Sequence, residues 1–211
     1  MAILTLTMRH VWTLLIAQSF AACGTIVLVT FGGIVGTRMA PEPWLATLPL
    51  SMSIVGLATL SLPAALLMQR IGRRGAFIGS ACIAALAALL CAVSIILDRF
   101  ALFCFAAFLI GGNMAFVQQY RFAAMEYVAD SLAGRAVSTV MIGTLIAAVL
   151  GPALGQQTRL IGEWPEFAGS FVTLSGLCLV AALVLTQLPP GPAGLPATSG
   201  GGRPIRDILR Q

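Results

Sequence analysis

Charged residues divide this sequence into six long uncharged runs: Val11 to Thr37, Pro43 to Gln69, Gly75 to Leu97, Phe100 to Tyr120, Ala136 to Thr158 and Phe167 to Leu188. An α-helix needs about 20 predominantly apolar residues to cross the hydrocarbon of a bilayer, and each run is long enough. None shows the strict alternation, in segments of roughly ten residues, that marks the strands of an outer-membrane barrel. The pattern predicts an all-α membrane protein of six transmembrane helices, with both ends on the same side. Six such helices form two sets of three with opposite orientations, which is compatible with an inverted three-plus-three repeat. No residue-level repeat is visible.

Composition supports the lipid setting. Of the 211 residues 59% are hydrophobic and 9% charged, against roughly 25% charged in an ordinary soluble domain. The net charge of +5 does not point to nucleic acid, because the basic residues punctuate apolar runs instead of clustering on one face. Their distribution predicts orientation, since short cytoplasmic loops retain positive charge. Arg9, Arg70, Arg73, Arg74, Arg121, Arg135, Arg203, Arg206 and Arg210 fall on one side, and Arg38, Arg99 and Arg159 on the other. Both termini are therefore expected in the cytoplasm, in a multi-pass protein of a bacterial inner membrane. Trp12, Trp44, Trp164, Tyr120 and Tyr127 lie near the predicted helix ends, where amphipathic rings prefer the headgroup level.

The six-helix bundle is expected over residues 1–188. A Pro/Gly-rich stretch, 189–202, reads as a flexible cytoplasmic linker, and 203–211 as the start of an interfacial helix, with Ile205, Ile208 and Leu209 at helical spacing among arginines. The apolar run after His10 continues uncharged to Thr37, too long for a cleavable signal core. Cys23, Cys82, Cys91, Cys104 and Cys178 all lie within apolar runs without zinc-site spacing, and read as buried packing residues. No metal or cofactor is implied. With a single histidine, His10, ahead of the first span, and no pair of carboxylates inside a span, an enzyme is not expected.

Two short segments carry the most specific signals. Between the second and third runs stands Gln69-Arg70-Ile71-Gly72-Arg73-Arg74, in which Gly72 permits a tight reversal and three arginines hold it on one face of the membrane. In the fifth run, Gly151-Pro152-Ala153-Leu154-Gly155 places two glycines one turn apart, allowing close helix approach beside a proline that removes a backbone donor.

The first segment resembles the signature loop of the major facilitator superfamily, G-x-x-x-D-R-x-G-R-R. Arg70, Gly72, Arg73 and Arg74 match in register, Ala65 stands for the usual glycine and Gln69 for the usual aspartate. The second resembles the G-P-x-x-G core found in proton-coupled efflux members, with Gln156 in place of a further glycine. The resemblance implies the amino-terminal six-helix half of a secondary transporter, with Arg70, Gly72, Arg73 and Arg74 as a cytoplasmic gating loop. It also implies a partner half, whether in the same longer chain, a separate chain or a second copy. The partners would be lipid and a small-molecule substrate, with protons as a candidate coupling ion and efflux as a candidate direction.

Polar residues within spans are costly to insert, which singles out Gln18 and Thr25 in the first run and Asn113, Gln118, Tyr120 and Arg121 in the fourth as candidate cavity lining. Two readings of them stay open, a wall of the transport cavity or hydrogen bonds that join helices. The arginine that many superfamily members carry early in helix 4 is absent, Ala107 or Phe108 standing there. A non-transporting six-helix subunit or a channel is the competing functional class.

Overall fold

The computed structural model describes residues 2–161 and 164–189, with side chains from residue 8 onward, Asp130 excepted. The expected linker beyond Pro189 and the interfacial helix at 203–211 lie outside the described residues.

Every extended element among the described residues is helical. Five helical stretches are long and apolar enough to cross a membrane. The first comprises α1 (Ala2–Ala21) and α2 (Cys23–Met39), which join at Ala22 with a helical backbone, φ −70° and ψ −22°. Then come α3 (Leu48–Ile96), α4 (Phe100–Val117) continued by α5 (Tyr120–Glu126), α6 (Ala133–Gln157) and α7 (Ala168–Leu185). The structure is that of an all-α, multi-pass membrane protein.

Helix α3 is two helices in one. Its 49 residues are broken at Gly72, whose φ of 80° and ψ of 158° belong to neither helix nor ordinary turn, and which only glycine adopts without strain. The arms, 48–71 and 73–96, are each about 36 Å long at 1.5 Å per residue. The second arm returns alongside α4 and α5, placing Phe77 against Tyr120 with ring centroids 4.6 Å apart. The far end of that arm meets the start of α4 through a three-residue connection, Leu97, Asp98 and Arg99.

Small residues set the helix contacts. Gly56 lies against the carbonyl of Phe108, and Gly111 against that of Ser53, so closely that neither site has room for a β-carbon. The first arm of α3 and α4 thus touch backbone to backbone. The second arm buries Ala81, Ala84, Ala85, Ala87, Ala88, Cys91 and Ala92 in a core shared with Phe103, Phe171 and Leu174. In lipid, where helices gain nothing by hiding apolar surface from one another, such close approach is what holds a bundle together.

Two expectations are corrected. Cys82 is exposed, unlike the other four cysteines, because it points away from the alanine face of its arm. Tyr120 is fully buried rather than part of an interfacial belt, since the chain stays helical past it as far as Glu126 and its ring turns inward onto Phe77. Trp12, Trp44 and Trp164 remain exposed.

Candidate functional site

The Gly72 reversal brings together residues far apart in sequence. With Gly72 redirecting the chain, Arg73 reaches the end of α5, where its Nη2 donates to Glu126 Oε1 at 2.6 Å. Arg74 Nη2 donates to the carbonyl of Thr186 at 2.7 Å, just past the end of α7. There a cation satisfies a helix-end acceptor and meets the negative end of the helix dipole. Arg70 and Gln69 are exposed. The acid that engages this loop is therefore Glu126, not the residue at the position where the family pattern has aspartate.

Beside this pair, Tyr127 lies 5.2 Å from the His10 ring, centroid to centroid, at the start of the first span. Burial raises the Tyr127 hydroxyl pKa, and the neighbouring Glu126 carboxylate adds to that, while Arg73 and Arg74 pull in the opposite direction. Three segments, the Gly72 loop and the ends of α5 and α7, are thus tied at one end of the bundle.

In the interior, the candidate polar residues do not form one wall. Gln18 Nε2 donates to Thr144 Oγ1 of α6 at 3.0 Å, and the Thr25 hydroxyl approaches Met114 Sδ of α4 at 3.4 Å. Both are contacts between helices. Asn113 and Tyr120, two turns apart on one face, point into the packed core, 6% and 0% exposed, and the Asn113 Oδ1 and Tyr120 hydroxyl have no protein partner. Gln118 lies on a different face and is exposed. Arg121 stacks its guanidinium 4.9 Å from the centre of the Phe122 ring and leaves its Nε buried without a partner. The structure thus separates Gln118, Arg121 and Phe122 on the open side of α4 and α5 from Asn113 and Tyr120 inside the bundle.

Gly151 and Gly155 face the first span. Gly151 lies near Cys23, Ile26 and Val27, and Gly155 receives the ring of Phe31 with no room for a β-carbon. Gly143, close to the Leu15 carbonyl and the Gln18 side chain, and the buried Ala147 extend the same stripe. Sequence reading missed these two, although their four-residue spacing was there to be counted. Pro152 sits within α6, which continues through it. Among the described residues no three His, Cys, Asp or Glu side chains are grouped as metal ligands would be.

The sequence pattern of the Major Facilitator Superfamily matches residues 14–211. The chain belongs to this superfamily. Over 208 residues it is 38% identical to the riboflavin transporter RfnT of Brucella anthropi, an alignment that takes in 98% of the chain and 52% of that relative. Over 189 residues it is 29% identical to YdeG of Bacillus subtilis, an uncharacterized MFS-type transporter, covering 87% of the chain and 44% of the relative. The chain spans about half the length of the curated relatives it matches. The Gly72 loop lies within the matched residues, and its geometry is the three-way contact just described.

Proposed function

We propose that this chain forms one six-crossing half of a secondary active transporter for a small solute, with riboflavin the first substrate to test. The observation that carries this reading is 38% identity to a named riboflavin transporter along 98% of the chain. In this reading the two arms of α3 cross separately, which makes six crossings of the five long stretches. The arginine distribution supports a cytoplasmic Gly72 end. Labelling of a cysteine at position 73 from outside intact cells by an impermeant reagent would reverse that orientation.

The Gly72 loop then acts as a cytoplasmic gating element, its arginines clasping α5 and α7 on one side of the cycle and letting go on the other. A second bundle completes the path. Its contact surface would be the uncovered apolar face of α6, where Val149 is 74% exposed and Leu145 69%. On the open side of α4 and α5, Gln118, Arg121 and Phe122 offer an amide, a guanidinium and an aromatic face, chemistry suited to a planar heterocycle carrying carbonyls and ring nitrogens. The glycines of α6 are accounted for by packing against the first span, so they carry no argument for export. None of the seven acidic residues lies within an apolar run, so a proton-coupled cycle would take its carboxylate from elsewhere in the transporter.

The test is riboflavin flux in cells that neither make nor import the vitamin, expressing the whole gene product and followed in both directions. Saturable flux, competed by unlabelled riboflavin and above that of empty-vector cells, is expected. Flux equal to the control at verified membrane abundance removes riboflavin from the reading.

A further inference from the structure

The end of the bundle opposite Gly72 carries a cluster that the proposed transport cycle has not used. Arg38, in the last turn of α2, donates from Nη1 to Glu166 Oε2 at 2.6 Å, and Arg159, beyond the end of α6, approaches the other carboxylate oxygen at 3.7 Å. The Arg38 guanidinium also lies 5.6 Å from the centre of the Phe167 ring. That ring in turn packs on Phe31 of α2, centroids 5.1 Å apart. One carboxylate and one phenyl ring, adjacent in the α6–α7 connector, thus hold the end of α2 from two sides.

Two features mark this contact as one able to open, and a third anchors the connector that carries it. The ion pair is solvent-accessible on both partners, and pairs of that kind contribute little net stability. Phe167 adopts a left-handed backbone, φ 73°, which costs a residue with a β-carbon and persists only while its surroundings enforce it. The Phe167 N–H donates to the Arg159 carbonyl at 2.9 Å, so the strained residue is stitched into the connector.

At its other end, α2 continues α1 through Ala22, whose own backbone stays helical at φ −70°, ψ −22°. The Ser19 hydroxyl donates to the Leu15 carbonyl at 2.9 Å and the Cys23 thiol to the Ser19 carbonyl at 3.1 Å. Such side-chain bonding to the preceding turn bends helices. The segment that follows contains Gly24, Gly32, Gly33 and Gly36 within 17 residues, a weak helix by propensity.

We propose that Arg38 and Glu166 form an ionic latch that holds α2 against the α6–α7 connector, and that it releases, with α2 bending about Ala22, when solute passes at that end. The second clause rests on the transport reading, and the first does not. Hydrogen–deuterium exchange on the protein in proteoliposomes tests the first. Arg38→Gln and Glu166→Gln should each speed exchange several-fold in peptides from 23–39 and 164–170 and leave 73–96 unchanged. Unchanged exchange in 23–39, or equal acceleration throughout the chain, overturns the latch whether or not any solute is moved.

The functional half is tested with cysteines at 38 and 166, in a chain freed of its own five, joined by a reducible bifunctional thiol reagent. Linking should stop flux and reduction should restore it. Flux that continues in fully linked protein, or that does not return on reduction, overturns release as a step of the cycle.

Discussion

Tyr120 is read from the sequence as an interfacial ring or a cavity donor, yet its ring is enclosed against Phe77 and its hydroxyl meets no protein partner. A buried hydroxyl left without a partner costs about 1–3 kcal/mol, whereas an aromatic ring at such a site is worth about 3–5 kcal/mol against alanine. Tyr120→Phe should therefore leave the thermal unfolding midpoint in detergent unchanged or higher, and Tyr120→Ala should lower it sharply. A clear loss in Tyr120→Phe would mean that the hydroxyl is satisfied by bound water. Gln18 teaches the converse. Its amide is half satisfied by Thr144, so a residue singled out for a cavity joins two helices.

Individual helices are positioned by where side chains are missing. At Gly111 a β-carbon would run into the Ser53 backbone, which cannot swing aside as a side chain could. Gly111→Ala should destabilise by about 1–3 kcal/mol, the range of overpacked cores. Gly176, in α7, faces open space, and Gly176→Ala should be neutral or stabilising by up to about 1 kcal/mol through backbone entropy. Parallel unfolding measurements on the two variants give the comparison, and equal effects would refute the backbone contact between α3 and α4. The Gly72 reversal was legible because a glycine between two apolar runs and among arginines has few other uses. The side-chain bonds of Ser19 and Cys23 to the preceding turn were not, because both residues read as ordinary small packing groups.

For the whole molecule, the tie between Arg73 and Glu126 joins the start of one helix to the end of another 53 positions away. An exposed pair of this kind contributes about 0–1 kcal/mol, so Arg73→Glu should fold and insert normally. It would nonetheless place two acids in contact and hold that end apart. Flux should fall several-fold in Arg73→Glu and recover substantially in Arg73→Glu with Glu126→Arg, at matched membrane abundance. No recovery in the paired variant would reduce the loop to a topogenic signal.

The sequence alone determined that this is a helical membrane protein, where its apolar stretches begin and end to within a few residues, and where the chain reverses at Gly72. Those properties follow from run length, charge placement and one glycine, all local. Only the tertiary structure decided which way each helix faces: Tyr120 and Asn113 inward, Gln118 outward, Glu126 onto Arg73, Glu166 onto Arg38. A helix with lipid on one side and an apolar core on the other carries little polarity difference to tell them apart. Its orientation is written instead in the spacing of small residues and in partners that meet only once the chain has folded.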